Sequence, residues 1–267
     1  MLTENQILAE ANRLHNAEKK RQQVEATTIS HPDMDVADAY KIQSAWMDIK
    51  KGQGRKVAGY KIGLTSRAMQ KAMNINEPDY GTLLDDMVFE EGSELNSTDF
   101  LDPKIEVELA FILKEKLYGD NITISDVLNA TDYVVPALEL IAARTFRVNP
   151  DTGYKRTVKD TISDNAANAG VIVGGRPMKP GSFDMRWAGA MMMRNGVIEE
   201  SGVSGAVLNH PAKGIAWLAK KYAAHGIALE PGQIILAGSF TRPVEVRSGD
   251  TFTVDYGRMG TISIYFK

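Results

Sequence analysis

The chain has 267 residues, a formal net charge of −3 at pH 7 and no cysteine. The lack of cysteine excludes disulfide bonds, thiolate metal ligands and a cysteine nucleophile. No long basic run and no apolar run long enough to cross a bilayer is present, which argues against nucleic-acid and membrane partners. The N-terminus does not have the pattern of a signal peptide, so we expect a cytoplasmic protein.

Two amphipathic helices are predicted at the start of the chain. Thr3 and Gln6 match a capping box, and apolar residues then recur with helical spacing. Asp35 is the predicted N-cap of a second helix, which ends near Gly52. The pattern therefore predicts a helical N-terminal segment over residues 1–52.

The remainder of the chain, residues 53–267, is predicted to consist mainly of β-strands. Asn195-Gly196 is a hairpin signal between two β-like runs, and one further helix is predicted from about Pro211 to His225. We therefore predict an α+β fold with a single catalytic domain over 1–267. The predicted strands include KVAGYKIGLTS, KIEVELAFIL, YVVPALELI, NAGVIVGG and the C-terminal runs GQIILAGS, VEVRSGDTFTVDY and TISIYF.

Two glutamates interrupt the strand KIEVELAFIL. Glu106 and Glu108 are two residues apart, so on a strand they point to the same face. A half-exposed strand with an acidic face is the simplest interpretation, but the run continues with apolar residues on both faces, as in a strand covered on both sides. Glu139 is likewise the only charge in the apolar run YVVPALELI.

Three carboxylates in buried surroundings are costly unless a cation neutralises them. The chain has no cysteine, and none of its four histidines lies in these segments, so the predicted ligands are all oxygen atoms. This ligand set favours a hard ion: Mg²⁺, or Mn²⁺ or Ca²⁺ in its place.

Lys61 and Asp79 are the candidate proton-transfer residues. Lys61 interrupts the apolar strand VAGYKIGLT, and Asp79 lies in the turn-prone run NEPDYG. A lysine at a strand end commonly extends to solvent, and an aspartate beside proline is commonly a turn residue. Near a bound cation, a partly desolvated lysine would instead have a lowered pKa and could move protons. Sequence spacing leaves open whether the two side chains meet.

The chain also resembles a known family over nearly its whole length. The segments that carry the resemblance are GYKIGLTS, EPDYGTLLDDM, PKIEVELAFIL, ATDYVVPALELI, DTISDNAANAGVIVGG and GQIILAGSFTRPV, in that order. They resemble the hydratase and decarboxylase branch of the fumarylacetoacetate hydrolase-like superfamily. The resemblance implies a mixed β-roll core with peripheral helices, assembled as a homo-oligomer, with a decamer among the assemblies considered.

The same resemblance implies roles for individual residues. It assigns Glu106, Glu108 and Glu139 to a Mg²⁺ ion, in the β-rich metal-binding core of residues 53–267, and Lys61 and Asp79 to catalysis. It places Asn165 in a segment that contacts the substrate. It also implies that a loop faces the carboxylate end of the ligand, through Gly238, Ser239 and Thr241.

The resemblance implies Mg-dependent hydration of a 2-oxo or 2-hydroxydienoate. The segment RTFRVNPDTGYKRTVKDTISDNAANAG favours a seven-carbon diacid as the substrate. Its five basic residues are candidates for binding the far carboxylate, although basic residues in an exposed loop are commonly only solvated. They are Arg144, Arg147, Lys155, Arg156 and Lys159.

Other functions stay open at this point. Hydration of 2-hydroxypenta-2,4-dienoate and decarboxylation of 4-oxalocrotonate would use the same residues. Hydrolysis of an acylpyruvate would need a His–Glu pair, for which His31 is the only histidine near the expected position. A function of another class is an idle subunit that scaffolds a pathway decarboxylase, and association with a decarboxylase or an aldolase is expected in either case.

Overall fold

The computed structural model describes all residues from 1 to 267, in seven α-helices and thirteen strands. Helices and strands alternate irregularly, as the α+β prediction requires. The elements are α1 (Glu4–Lys20), α2 (Thr27–Ser30), α3 (Val36–Gly52), β1 (Val57–Gly63), α4 (Arg67–Ala72), β2 (Asp79–Leu84), β3 (Val88–Glu90), β4 (Glu94–Leu95), β5 (Lys104–Leu113), α5 (Ile124–Ala130), β6 (Thr131–Ile141), α6 (Val158–Ser163), β7 (Asn168–Val173), β8 (Gly189–Arg194), β9 (Val197–Val203), α7 (Ala212–Ala223), β10 (Ile234–Leu236), β11 (Val244–Glu245), β12 (Thr251–Asp255) and β13 (Thr261–Phe266).

The strands form two mixed sheets. The larger sheet has the order β2-β1-β10-β5-β6-β7-β3, and β11 also pairs with β5. The smaller sheet has the order β4-β13-β12-β8-β9. Most neighbours are antiparallel, whereas β1 with β10, β3 with β7 and β4 with β13 are parallel. The long strands β5 and β6 lie in the middle of the larger sheet, and they position most of the candidate site.

The N-terminal helices form where the capping signals predict them. Thr3 and Gln6 make a reciprocal capping box at α1, and Asp35 and Asp38 make another at α3. Such caps satisfy backbone N–H groups that have no partner within the helix. The two predicted helices, α1 and α3, lie before β1, together with the short helix α2, which was not predicted. That the whole chain acts as one catalytic domain stays a prediction.

Side chains on alternate positions of β5 enter two different hydrophobic cores. Ile105, Val107 and Leu109 belong to a core that includes residues of the smaller sheet and α7. The opposite face of the strand contacts a second core, which includes residues of α1, α3 and α6. Ala110 packs in this second core. Because strand side chains alternate, Glu106 and Glu108 lie on the same face as Ala110. The two glutamates therefore belong to the helix-covered side of the sheet.

The predicted hairpin and C-terminal helix are both confirmed. Asn195 and Gly196 have positive φ angles of 54° and 80° and connect β8 to β9, as an Asn-Gly turn requires. The helix α7 lies within the predicted range, and Gly226 follows it with φ of 70°. The short helices α2, α4, α5 and α6 had no predicted counterpart, since four to seven residues carry too little periodicity. None of the helices has both the length and the apolar character that spanning a bilayer needs.

Candidate metal centre and active-site cavity

Three glutamates converge at the middle of the larger sheet. Antiparallel pairing of β5 with β6 sets Glu106 directly opposite Glu139, and Glu108 is two residues further along β5. One carboxylate oxygen from each of the three lies within 4.8 Å of the others. Directly opposite and diagonal neighbours on one face of an antiparallel pair are within side-chain reach, so the register itself brings these groups together.

The glutamate cluster carries more negative charge than the neighbouring protein groups compensate. Both oxygens of Glu139 are buried and make no hydrogen bond, although Oε1 lies 3.1 Å from Nζ of Lys61. Burial and the charge of Glu139 raise the pKa of Glu106 to about 7 and raise the pKa of Glu108 well above its usual range. Burial also raises the pKa of Glu139. In the protein without a bound cation, the ionised form of all three glutamates is therefore less stable than that of a glutamate in water.

These residues fit a hard divalent cation. Carboxylate oxygens are the ligands that Mg²⁺ and Ca²⁺ prefer, and three of them leave further coordination positions for water or substrate oxygens. The unpartnered oxygens of Glu139 are the structural sign of such a site, because a buried carboxylate otherwise finds a donor. The cluster is thus a candidate metal site that matches the three glutamates predicted from the sequence.

Lys61 is buried against the cluster. It lies on β1, is only 4% exposed, and its side chain does not extend to solvent. Burial lowers the pKa of Lys61, but attraction to Glu139 and Asp79 outweighs it, so the net pKa is raised. The lowered pKa predicted from the sequence applies to a lysine beside a bound cation, and it stays a prediction. A cation that neutralised the carboxylates would remove the attraction and leave the effect of burial.

Asp79 lies beside Lys61, a proximity that sequence spacing left open. Asp79 is the first residue of β2 and pairs with Gly63 on β1. A Cβ built on Gly63 would be 2.2 Å from Oδ1 of Asp79 and 3.2 Å from Nζ of Lys61. Burial raises the pKa of Asp79, and its Oδ1 has no hydrogen-bond partner. Gly63, which sequence reasoning missed, is the position at which the absence of a side chain lets the two groups approach.

The loop after β10 supports the cluster from one side. The backbone N–H of Gly238 donates to Oε2 of Glu108 at 2.8 Å, so it orients a candidate metal ligand. Ser239 and Thr241 line the cavity, and the Ser239 hydroxyl donates to the Thr241 carbonyl oxygen. The hydroxyl of Tyr256 donates to the carbonyl oxygen of Ala137 at 2.7 Å. Ala137 lies directly opposite Glu108 in the pairing of β5 with β6. Nothing in the sequence pattern indicated Tyr256.

Asn165 is buried next to the cavity, and its side chain is engaged by the backbone. Its Oδ1 accepts the N–H of Thr82 at 2.7 Å, and its Nδ2 donates to the Thr82 carbonyl oxygen at 2.8 Å. Asn165, Ala166 and Ala167 all have positive φ angles, which is strained for residues with a Cβ. Ala166 and Ala167 line the cavity, so the amide of Asn165 fixes a strained wall to strand β2.

A cavity of about 640 Å³ is lined by many of these residues, whereas Glu139, Gly238 and Asn165 lie outside its lining. Lys61, Asp79, Glu106 and Glu108 line one part of it. Its lining also contains three arginines, Arg147, Arg156 and Arg242, together with Leu64, Met69, Met73 and Phe240. The volume is typical of a small-molecule site, and the mixture of charged and apolar walls suits a short-chain acid.

The distinctive basic segment is not simply solvated. Arg144 is buried and forms an ion pair with Asp164, with Nε 2.5 Å from Oδ1. Arg147 and Arg156 line the cavity, whereas Lys155 is exposed and Lys159 donates to a backbone carbonyl. The general expectation of a solvated loop is thus wrong for the arginines, because the segment folds back so that Arg144 is buried and Arg147 and Arg156 reach the cavity.

His31 does not belong to the cavity. Its Nε2 lies 3.4 Å from Oε1 of Glu10, and neither residue is part of the cavity lining. The same carboxylate of Glu10 also accepts hydrogen bonds from Arg13. The His–Glu pair that acylpyruvate hydrolysis would need is therefore not present at the glutamate cluster.

The fold and the glutamate cluster agree with a family assignment. Residues 60–265 match the fumarylacetoacetate (FAA) hydrolase C-terminal family, and the chain belongs to this family. The match covers both sheets from β1 to β13, and so it includes every residue of the candidate site.

Individual relatives narrow this assignment. The chain is 59% identical over 256 residues to 2-oxo-hept-4-ene-1,7-dioate hydratase from Escherichia coli, a match that covers 96% of each protein. Its structure is similar to that of 4-oxalocrotonate decarboxylase from Pseudomonas putida G7, complexed with magnesium and adipate, with a TM-score of 0.94. The two sequences are 34% identical, and the match covers 100% of this chain and 99% of the decarboxylase chain. The same decarboxylase complexed with calcium and acetate matches with a TM-score of 0.93, at 34% identity and the same coverage.

Proposed function

We propose that the chain is a Mg²⁺-dependent hydratase of 2-oxo-hept-4-ene-1,7-dioate, or of its 2-hydroxydienoate tautomer, with 4-hydroxy-2-oxo-heptane-1,7-dioate as the product. The observation that carries the proposal is the cluster of three glutamates: Glu106 and Glu108 line one cavity together with Lys61 and Asp79. The third, Glu139, lies 3.1 Å from Lys61. The 59% identity to a hydratase of this substrate, over nearly the full length of both chains, supports the choice of reaction.

Glu106, Glu108 and Glu139 would hold the metal ion, with the Gly238 N–H fixing the orientation of Glu108. When bound, Mg²⁺ supplies a Lewis acid that stabilises negative charge on the 2-oxo oxygen of an α-keto acid. Mn²⁺ and Ca²⁺ are the expected substitutes, since they accept the same oxygen ligands.

Lys61 and Asp79 would move the proton. One of them accepts the proton from C3 of the 4-ene, or from the 2-hydroxyl group of the dienol, and a proton is delivered to C5. The double bond then lies between C3 and C4, in conjugation with the 2-oxo group. A positioned acid–base group of this kind typically contributes roughly a hundred- to ten-thousandfold in rate.

Water completes the reaction. Its oxygen bonds to C4 while a proton adds to C3, so one molecule of water is consumed and no other product forms. The conjugated double bond makes C4 electrophilic, and the cavity provides a polar wall of Ser239 and Thr241 close to the glutamate cluster. Asn165 would act through its hydrogen bonds to Thr82, by holding the Ala166–Ala167 wall in place.

The direct test is an assay of the purified chain with 2-hydroxyhepta-2,4-diene-1,7-dioate and Mg²⁺. We expect loss of the dienol absorbance and formation of the 4-hydroxy product without release of CO₂. Glu106→Ala should abolish the metal-dependent hydration and leave the protein folded. Unchanged hydration by this variant, still dependent on metal, would remove Glu106 from the site.

Decarboxylation of a 2-oxo-3-enedioate is the second candidate reaction. The observation that favours it is the 0.94 TM-score to a 4-oxalocrotonate decarboxylase along the whole chain. Both reactions pass through an enolate of a 2-oxo acid, which forms by loss of a proton in hydration and by loss of CO₂ in decarboxylation, so the same glutamates and lysine serve either. Release of CO₂ from 4-oxalocrotonate, at a rate above that of hydration, would replace our proposal with this one.

We further propose that the chain assembles as a homo-oligomer, with a decamer among the candidate assemblies. Large apolar side chains are exposed on the β8–β9 hairpin and the turn before it, which is unusual for a monomer. They are Trp187, Met191, Val197, Ile198 and Val203. Light scattering would measure the assembly. Co-elution with a pathway decarboxylase or aldolase would test whether the chain also acts as a scaffold, and lack of metal binding would favour that role alone.

A further inference from the structure

The segment between β6 and α6 folds as an irregular hairpin that brings two arginines to the cavity. Val148 and Lys155 form a bridge, and the N–H of Arg156 donates to the carbonyl oxygen of Arg147 at 3.1 Å. This pairing places Arg147 and Arg156 opposite each other at the base of the hairpin. Both residues line the cavity.

The guanidinium of Arg156 is buried, and the only carboxylate that it contacts is also paired with another arginine. Its side chain is 7% exposed, and its only hydrogen bonds come from Nη1, to Asp164 at 3.2 Å and to Thr145 at 3.5 Å. Nε and Nη2 have no acceptor on the protein. An arginine offers five N–H donors, so most of the donors of Arg156 are free for another group.

The neighbouring acids are already compensated by other groups. Asp164 accepts both the N–H and the Nε of Arg144, which is fully buried. Asp160 accepts hydrogen bonds from the backbone and hydroxyl groups of Thr28 and Thr157. Burial and the charge of Arg147 lower the pKa of Arg156 to about 10, so the group stays a cation at neutral pH.

The other two arginines of the lining differ from Arg156. Arg147 donates to Asp102 through Nε at 2.6 Å and through Nη2, which leaves Nη1 free. Arg242 is 86% exposed and is paired with Glu200. A buried guanidinium with free donors is a built site for an anion, since it is desolvated and its charge is not fully neutralised.

We propose that Arg156, assisted by Arg147, binds the second carboxylate of the substrate, and that it selects dicarboxylic over monocarboxylic 2-oxo acids. This inference rests on the proposed function, because it assigns the opposite end of the ligand whose 2-oxo acid group faces the glutamate cluster. The arginine pair thus sets substrate specificity, while the glutamates and Lys61 serve the reaction itself.

Binding of two substrate analogues tests this assignment independently of turnover. 2-Oxoheptanedioate and 2-oxoheptanoate lack the double bond, so neither can be hydrated. They have the same chain length and differ only at C7, which is a carboxylate in the diacid and a methyl group in the monoacid. Titration calorimetry with the Mg²⁺-loaded protein should show tighter binding of the diacid. Arg156→Met should weaken diacid binding by roughly ten- to a hundredfold, the size expected for loss of a charge-assisted hydrogen bond, and leave monoacid binding unchanged.

The controls separate recognition from stability. Lys155→Met removes the same charge from the exposed neighbour and should leave both affinities unchanged. Arg156→Lys should restore part of the diacid preference. Asp164 keeps its ion pair with Arg144 in every variant, so the thermal transition should stay close to that of the natural chain.

Two results would overturn the assignment. In the first, Arg156→Met weakens both analogues equally. In the second, the natural chain does not prefer the diacid. A third result would separate the two proposals. If the natural chain binds the diacid through Arg156 but does not hydrate the unsaturated substrate, the proposed function is refuted and the role of Arg156 in diacid binding stands.

Discussion

The cavity carries an acidic and a basic group of residues, here called its negative and its positive end, and the two differ in how they are built. At the negative end, Glu106, Glu108 and Glu139 project from two long, regular strands, and their charge is only partly compensated. At the positive end, Arg147 and Arg156 project from an irregular hairpin; Arg147 is paired with Asp102, and Arg156 shares Asp164 with Arg144. Buried charge that is left unpaired on rigid strands indicates a ligand that completes it, whereas partly paired charge in a loop indicates recognition.

The same contrast explains why the two ends tolerate substitution differently. Sheet register fixes the glutamates within a few ångströms of each other, so loss of one changes the whole cluster. The arginine hairpin keeps the Arg144–Asp164 ion pair when Arg156 is replaced. We therefore expect the largest effects at the negative end, in the order given below.

Glu139→Gln should have the largest effect. It removes a carboxylate that faces both the candidate metal position and Lys61, so hydration should fall by roughly a thousandfold or more. Mg²⁺ should raise the melting temperature of the natural chain and have little effect on the variant. Glu245→Gln, on the exposed edge of β11, is the matched control and should keep both properties. A normal Mg²⁺-dependent shift in Glu139→Gln would contradict the proposed ligand set.

Lys61→Met should follow, with a loss of roughly a hundred- to ten-thousandfold in turnover. The glutamates remain, so the Mg²⁺-dependent rise in melting temperature should persist. Lys51→Met, which changes an exposed lysine paired with Asp48, should leave turnover unchanged. Retention of substrate proton exchange with solvent deuterium in Lys61→Met would assign the proton transfer to another group.

Gly63→Ala should reduce turnover by about ten- to a hundredfold. The new Cβ would lie 2.2 Å from Oδ1 of Asp79, so that carboxylate must rotate away from Lys61. Metal binding, measured by calorimetry, should stay the same because the glutamates are untouched. Gly52→Ala, where a Cβ meets nothing within 4 Å, controls for the substitution itself. Full activity of Gly63→Ala would mean that the position of Asp79 does not matter for the reaction.

The pH dependence of stability should be the smallest effect. Burial raises the pKa of Glu106 from 4.5 to about 7, so the folded metal-free protein binds more protons than the unfolded chain between these values. Its free energy of unfolding should therefore fall as the pH rises from about 4.5 to about 7. Mg²⁺ should remove this decline by neutralising the carboxylates.

Denaturation by urea in the presence and absence of a chelator measures this difference. Burial lowers the pKa of His15 and His210, which acts in the opposite direction, so the natural chain is best compared with Glu139→Gln. The variant has less negative charge in the cluster and should show a shallower decline. A decline of equal slope in both proteins would place its origin outside the glutamate cluster.

Much of the fold was accessible from local sequence signals. The capping boxes at Thr3 and Asp35 and the Asn195-Gly196 turn predicted elements that the structure contains, because those interactions lie within a few residues. The helices α5 and α6 were missed because their stability depends on packing rather than on periodicity.

The glutamates of the site were also accessible, because a carboxylate inside an apolar strand is conspicuous. The roles of Gly63 and Tyr256 were not accessible, and the sequence could not single out Arg156 among the five basic candidates, since each of these depends on a partner far away in the chain. Gly63 matters through Asp79, Tyr256 through the backbone of β5 and β6, and Arg156 through the cavity that the hairpin reaches.

The sequence alone determined which side chains carry charge into apolar strands, since residue type and alternation are local properties. Only the tertiary structure decided that Glu106 lies opposite Glu139, that Lys61 and Asp79 meet beside Gly63, and that Arg156 faces the same cavity. The physical reason is that strand register and loop return are set by packing of both faces of the sheet, and no single segment contains that information.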